Sequence, residues 1–210
     1  MWERIFGSLR TPGKTFAQVS EQKLWKEGLL IVAIAALLQG LSSIAAAGNE
    51  GLLFYLDYLE QYLEMPAGDS LSLLTGSPAS TIFSSLIGDL IGWVLMGAVF
   101  FLFAKLFKGQ GTMSGMLGSL GYAASPYFIG APLSALASLA GAAGYIISTV
   151  IGLATAIWVI VLQIIAIKES QRISTGAAVA TYFVPAILLG ILILLLIGVI
   201  VALIMTFTAA

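Results

Sequence analysis

Five long apolar runs, separated by short polar or basic segments, dominate the chain. A helix needs about 20 apolar residues to cross a hydrocarbon layer about 30 Å thick. The runs predict spans at about 27–47, 82–107, 112–139, 142–167 and 175–205. Ahead of them, Trp2, Ile5, Phe6 and Leu9 recur at helical spacing, with Glu3, Arg4, Ser8 and Arg10 elsewhere. That pattern predicts a short amphipathic helix within residues 1–26, lying in the membrane interface or packed on the chain's own spans. Thr11-Pro12-Gly13 is expected to end it, Ser20 to cap the next helix, and Trp25 and Lys26 to mark the membrane boundary. Between the first two runs, Leu52, Leu56, Leu59 and Leu63 share one face, with Asp57, Glu60 and Glu64 on another. A second amphipathic helix is expected at about 50–64, resting on the membrane and showing water an acidic edge. Pro66 to Asp69 ends it, and a polar loop runs to Ser80. Gly109-Gln110-Gly111 predicts a tight turn. The third run is the least hydrophobic, rich in Gly, Ser and Ala, and interrupted by Pro126 and Pro132. The fifth carries Pro185, which predicts a bend. The reading is all-α: one five-helix membrane domain, 27–210, behind an amphipathic N-terminal segment.

Composition narrows the class further. The chain is 60% hydrophobic and 9% charged, with mean hydropathy +1.05, against roughly 25% charged residues in soluble domains. No stretch is left for a soluble catalytic domain. The net charge of -1 says little, because the charges are segregated. Arg4, Arg10, Lys14, Lys23 and Lys26 precede the first run, Lys105 and Lys108 follow the second, and Lys168 and Arg172 follow the fourth. The alternate gaps carry no Lys or Arg. Basic residues in short loops stay cytoplasmic, so the pattern predicts N-terminus in, C-terminus out and five crossings. The expected location is the cell membrane, multi-pass. The charged, amphipathic start does not read as a cleaved signal, and the first span is expected to insert by itself.

Inventory removes most chemistry. With no His there is no Ser–His pair and no imidazole metal site, and with no Cys no thiolate or disulfide. Intramembrane aspartyl proteolysis needs two carboxylates at one site, and Asp89 is the one acidic residue well inside a predicted span. The lone Gly-x-Gly at 109–111 follows no strand and is a weak phosphate-loop signal. No enzyme activity, cofactor, metal or nucleic-acid partner is expected. A carboxylate at a helix centre costs about 2.5–3.5 kcal/mol and usually faces the bundle or a watery cavity. Asp89 is therefore a candidate polar site, either handling ions or protons or simply hydrogen-bonded to a neighbour, with Gln39 as a potential partner. Gln163 lies near a span end and calls for no special role. Pro126 removes a backbone donor near mid-membrane, and broken helices there are common substrate sites as well as ordinary kinks. The Tyr122 and Tyr127 hydroxyls are placed to satisfy the freed groups. Small residues drive helix packing in lipid: Gly144, Ser148, Gly152 and Ala156 stripe the fourth span, Gly88 and Gly92 the second, Ala36 and Gly40 the first. The short connection Gly141–Gly144 predicts that the third and fourth spans form a hairpin at the packed centre. The stripe on the fourth span is read as facing within the monomer, with homo-oligomer formation as the alternative.

Three stretches resemble the Yip family of membrane proteins. They are Pro12 and Phe16 ahead of the first span; Phe107-Lys-Gly-Gln-Gly111 followed by Gly121-Tyr122-Ala-Ala-Ser-Pro126-Tyr127; and Trp158 to Lys168-Glu169 followed by Ser174-Thr175-Gly176-Ala177. The resemblance runs from about Leu9 to the end. It implies five spans and a cytoplasmic N-terminus, in agreement with the charge pattern, and a non-enzymatic role in organising membranes or scaffolding partners. In eukaryotes it implies trafficking and contacts to Rab-type GTPases. The N-terminal segment here is short and looks more like that of prokaryotic members. The cytoplasmic basic residues would favour anionic lipids in the bilayer. The rival reading is a small ion or solute channel or transporter using Asp89, Gln39 and the break at Pro126.

Overall fold

A computed structural model of the chain describes residues 1–47, 50–63 and 77–208. Every regular element among them is a helix: α1 Trp2–Arg10, α2 Pro12–Glu21, α3 Trp25–Ala47, α4 Glu50–Leu63, α5 Pro78–Leu106, α6 Met113–Tyr122, α7 Tyr127–Ser138, α8 Gly141–Gln171 and α9 Thr175–Thr208. Four of these, α3, α5, α8 and α9, are long and apolar enough to cross a membrane. The chain is a multi-pass membrane protein.

Local chemistry explains where several boundaries depart from expectation. Pro12 does not simply break the N-terminal segment. It occupies the first turn of a second helix, where its missing N–H is no loss. Ser20 is not a cap but lies inside α2, and the turn to α3 is made at Lys23, which takes a left-handed conformation (φ 53°). The second predicted span begins earlier than 82. Ser77 accepts a hydrogen bond from Ser80 N, Pro78 sits in the first turn, and the pair starts α5 at 78. In α4, Leu56 is buried as its pattern predicts, but Glu60 is buried too and does not belong to the water-facing acidic edge. The expectations for Glu64 and for Pro66 to Asp69 lie outside the described residues.

The third predicted span is two helices. Ala124 N turns to Gly121 O, Ser125 N to Tyr122 O, and Tyr127 N to Ala124 O, a tighter pattern that ends α6 and starts α7 at Pro126. Pro132, by contrast, lies within α7 without ending it, and Pro185 lies within α9 in the same way. At about 15 and 18 Å, neither short helix spans a membrane alone. Their partners show that they run in sequence along α3. Gly28 of α3 meets Gly118 and Gly121, while Gln39, Ser42 and Ala46 border a cavity with Tyr127, Gly130 and Ser134. Residue numbers rise together, so α6–α7 travels in the same sense as α3. α5 runs the other way: Gly40 packs on Ile82, Gln39 bonds Asp89, and Gly97 packs on Leu117. So does α8, with Gly144 on Ala137, Ser134 Oγ donating to Ser148 O, and Gly130 against Thr155. α9 starts beside the end of α5, where Tyr182 stacks on Phe100.

The core lies in one half of this bundle. Ile5, Phe16 and Val19 from α1 and α2 pack with Phe100, Met116, Leu120, Tyr122, Leu162 and Ile167. The centre is therefore α6, the first part of the third predicted span, packed with the end of α8 from the fourth and clasped by the N-terminal helices; the tip of the predicted hairpin lies outside it. All nine Lys and Arg residues lie in the segments at this end.

Candidate functional site

In the half of the bundle away from the core, the helices separate around polar side chains. Gln39 Nε2 donates to Asp89 Oδ2 at 3.1 Å, joining α3 to α5. No ion pair reaches Asp89 among the described residues. Two cavities meet here. One of about 240 Å³ is bordered by Gln39, Gly88, Asp89, Gly92, Tyr127 and Gln163, among others. The second, about 300 Å³, lies between α3, α7 and α8 and is bordered by Ser42, Ser43, Ser134, Ser148, Thr149 and Tyr145. Gln39 and Tyr127 line both. Trp93 borders the first but spends its indole N–H on Leu117 O at 3.1 Å.

The structure thus unites three of the five predicted polar residues: Asp89, Gln39 and Tyr127. Pro126 is fully buried and acts by placing Tyr127 rather than by facing a cavity. Tyr122 points the other way. Its hydroxyl donates to Glu27 Oε2, and Arg4 reaches the same carboxylate with Nη1 at 3.0 and 2.8 Å. Hydrogen bonding to Tyr122, and then to Glu27, keeps the Arg4 guanidinium above its ordinary pKa. With Arg4 and Glu27 each about a third exposed, the ion pair itself is worth at most about 1 kcal/mol. Its consequence is positional: α1 is tied to the start of α3 and the end of α6. Ser8 Oγ and Ser125 Oγ, 2.8 Å apart, add a second tie. Gln163, for which no special role was expected, borders the Asp89 cavity. Arg4 and Glu27 carry no sequence signal as partners, because they lie 23 residues apart on different helices.

The small-residue stripes divide between packing and cavity wall. Gly144 packs on α7, and a Cβ there would lie 2.2 Å from Ala137 O. Gly152, predicted to pack, faces nothing within 4 Å and borders the larger cavity, and Thr155 makes the contact with α7 instead. Ala156 is half-buried. Gly88 and Gly92 likewise face open space beside Asp89, whereas Ala36 is buried and Gly40 packs closely. The unexpected packing face is Gly115, Gly118 and Gly121 on α6. A Cβ on Gly121 would stand 2.4 Å from Gly28 Cα.

The Yip1 domain family matches residues 6–207. The chain belongs to this family. The uncharacterized protein MJ0794 of Methanocaldococcus jannaschii is 26% identical over 128 residues, which cover 60% of this chain and 82% of that protein. This distant archaeal likeness places the chain with the prokaryotic-type members. No solved structure matches it. The residues that carried the family resemblance build one end of the Yip1 domain. Gly121 admits α3, Tyr122 holds Glu27, and Pro126 starts α7. Lys168 pairs with Glu169 at 3.1 Å, and Glu169 lies over Gly13 of α2. Ser174 Oγ accepts from Ala177 N and so caps α9, which begins at Thr175. The Gly109–Gly111 turn seats on the end of α8 through Gln110 N to Gln171 O at 2.9 Å, and Lys105 Nζ closes it by donating to Gly109 O and Gly111 O.

Proposed function

We propose that this Yip1 protein is a non-enzymatic component of the cell membrane that organises the bilayer at its cytoplasmic face, crossing five times with its N-terminus inside. The observation that carries the reading is the platform made by α1, α2 and the start of α3. It is locked to α6 by Arg4, Glu27, Tyr122 and Ser8, yet leaves Trp2, Phe6 and Trp25 exposed. Arg10, Lys14, Lys23 and Lys26 belong to the same segment. Exposed aromatics beside cations suit the interface of an anionic leaflet. Five crossings result from treating α6 and α7 as one interrupted span parallel to α3, which keeps every Lys and Arg on one side.

The test is reconstitution into vesicles containing anionic lipid at rising protein-to-lipid ratio, with diameters read by cryo-electron microscopy. The wild-type protein should narrow and shift the size distribution, and Trp2→Ser with Phe6→Ser should abolish most of the shift. Equal distributions for both proteins and for protein-free vesicles would contradict the reading.

A second reading, a pathway for ions or small solutes, is favoured by the Gln39–Asp89 pair and the two cavities that share Gln39 and Tyr127. The Asp89 cavity ends against the packed half of the bundle at Leu120. Any passage would therefore need a second arrangement of α6 and α7, whose junction at Pro126 is the place for it.

A further inference from the structure

We infer that the cavity at Asp89 is a binding site for a monovalent alkali cation, entered from the end of the bundle that carries α4. This deepens the pathway reading by naming an ion class, though binding itself requires no passage across the membrane.

The charge balance is the first argument. Among the described residues, Asp89 is the one carboxylate bordering either cavity, and no Lys or Arg borders them. An anionic ligand would meet one negative charge and no positive partner, and a divalent ion would keep an uncompensated charge in a low-dielectric setting. A single positive charge is neutralised. The second argument is the donor set. Gln39 occupies Asp89 Oδ2, and among the described residues no donor reaches Oδ1. The Gln39 amide and the Tyr127 hydroxyl border the same space. The break before α7 adds a backbone oxygen. Ala124 N turns to Gly121 O instead of Leu120 O, so the Leu120 carbonyl loses its helical donor beside a cavity that Leu120 and Ala124 both line. Hard oxygens from a carboxylate, an amide, a hydroxyl and an unwound carbonyl are the ligands that alkali ions take in membrane proteins. At about 30 Å³ per water, a cavity of about 240 Å³ lets the ion keep several of its waters.

Access is the third argument. The hydroxyl-lined cavity extends from Gln39 and Tyr127 toward Ser42, Ser43 and Tyr145 at the α4 end. On the opposite side, Met116, Leu120, Phe100 and Leu162 close the bundle with apolar contacts. The α4 end offers ions a route to Asp89 that avoids the apolar packing. Gln39 and Tyr127, common to both cavities, stand at the junction.

The experiment is thermal unfolding of the purified protein in detergent, at fixed ionic strength and pH, with sodium, potassium or lithium exchanged for choline. One alkali cation should raise Tm saturably, by about 5 °C or more at a hundredfold excess over its Kd. Asp89→Asn and, separately, Tyr127→Phe should remove or weaken the shift while keeping cooperative unfolding. If Asp89→Asn does not fold, Tyr127→Phe and Gln39→Leu decide. No cation-specific shift in the wild type, a shift undiminished in the variants, or a Tm that responds to pH alone would overturn the site. Flux in liposomes separates it from the pathway reading. Saturable cation binding without flux keeps the site and removes the pathway, whereas solute flux indifferent to the cation does the reverse.

Discussion

Gly121 and Gly152 look alike in sequence, each spaced from other small residues on an apolar helix, but their surroundings are opposite. A methyl group on Gly121 would run into the backbone of Gly28, which cannot swing aside. Gly121→Ala should cost about 1–3 kcal/mol or more, read as a Tm lowered by several degrees. Gly152→Ala meets open space, and its Tm should change by no more than the scatter of surface substitutions, about 0.5 kcal/mol. Equal losses at the two sites would show that α3 and α6 are not in this contact. The spacing of small residues revealed that close packing occurs but not which glycine touches a partner, because a helix presents such residues equally to a neighbour or to a cavity. Asp89 was legible because a carboxylate in an apolar run is costly, and Gln39 because it is another polar group well inside a span. Tyr122 was singled out for the wrong partner, since Glu27 lies far from it in sequence and reads as an ordinary first-turn acid.

At the scale of elements, α1 is held by the Arg4–Glu27 pair, the Ser8–Ser125 hydrogen bond and the burial of Ile5. Arg4→Ala should leave the Glu27 carboxylate with only Tyr122 and loosen the tie between α1 and α3. Amide hydrogen exchange in residues 2–10 should rise by up to about fivefold, the equivalent of about 1 kcal/mol, with α8 unchanged. Exchange rising equally in α8 would mean that the platform is inseparable from the bundle, and no rise would mean that Ser8 and Ile5 hold α1 without Arg4. The long helices were legible because length and hydropathy suffice to define them. α2 was not, because Thr11-Pro12-Gly13 reads as a stop, although a proline is equally at home in the first turn of a new helix. The start of α5 was within reach of the same reasoning, as Ser77-Pro78 is a cap followed by a first-turn proline. The break between α6 and α7 was expected at Pro126. Pro132 carries the same residue-level signal and ends nothing, since the surrounding helix tolerates it.

For the whole molecule, the division into a packed basic end and an open polar end is the feature that joins fold to function. The long apolar runs made the all-helical, multi-pass architecture legible. The location of the core was not, because α6 belongs to the least hydrophobic of the runs and owes its burial to glycines that let α2 and α3 approach. The central claim is that α6 and α7 together form one crossing parallel to α3. It is tested most directly at Leu139, the exposed residue at the end of α7. The chain has no Cys, so Leu139→Cys and Lys108→Cys can each be labelled in intact cells with a membrane-impermeant maleimide. The account predicts that position 139 reacts from outside and position 108 reacts only after the membrane is opened. If both positions react only after opening, α6–α7 turns back to the side from which it entered, and the five-crossing architecture is wrong.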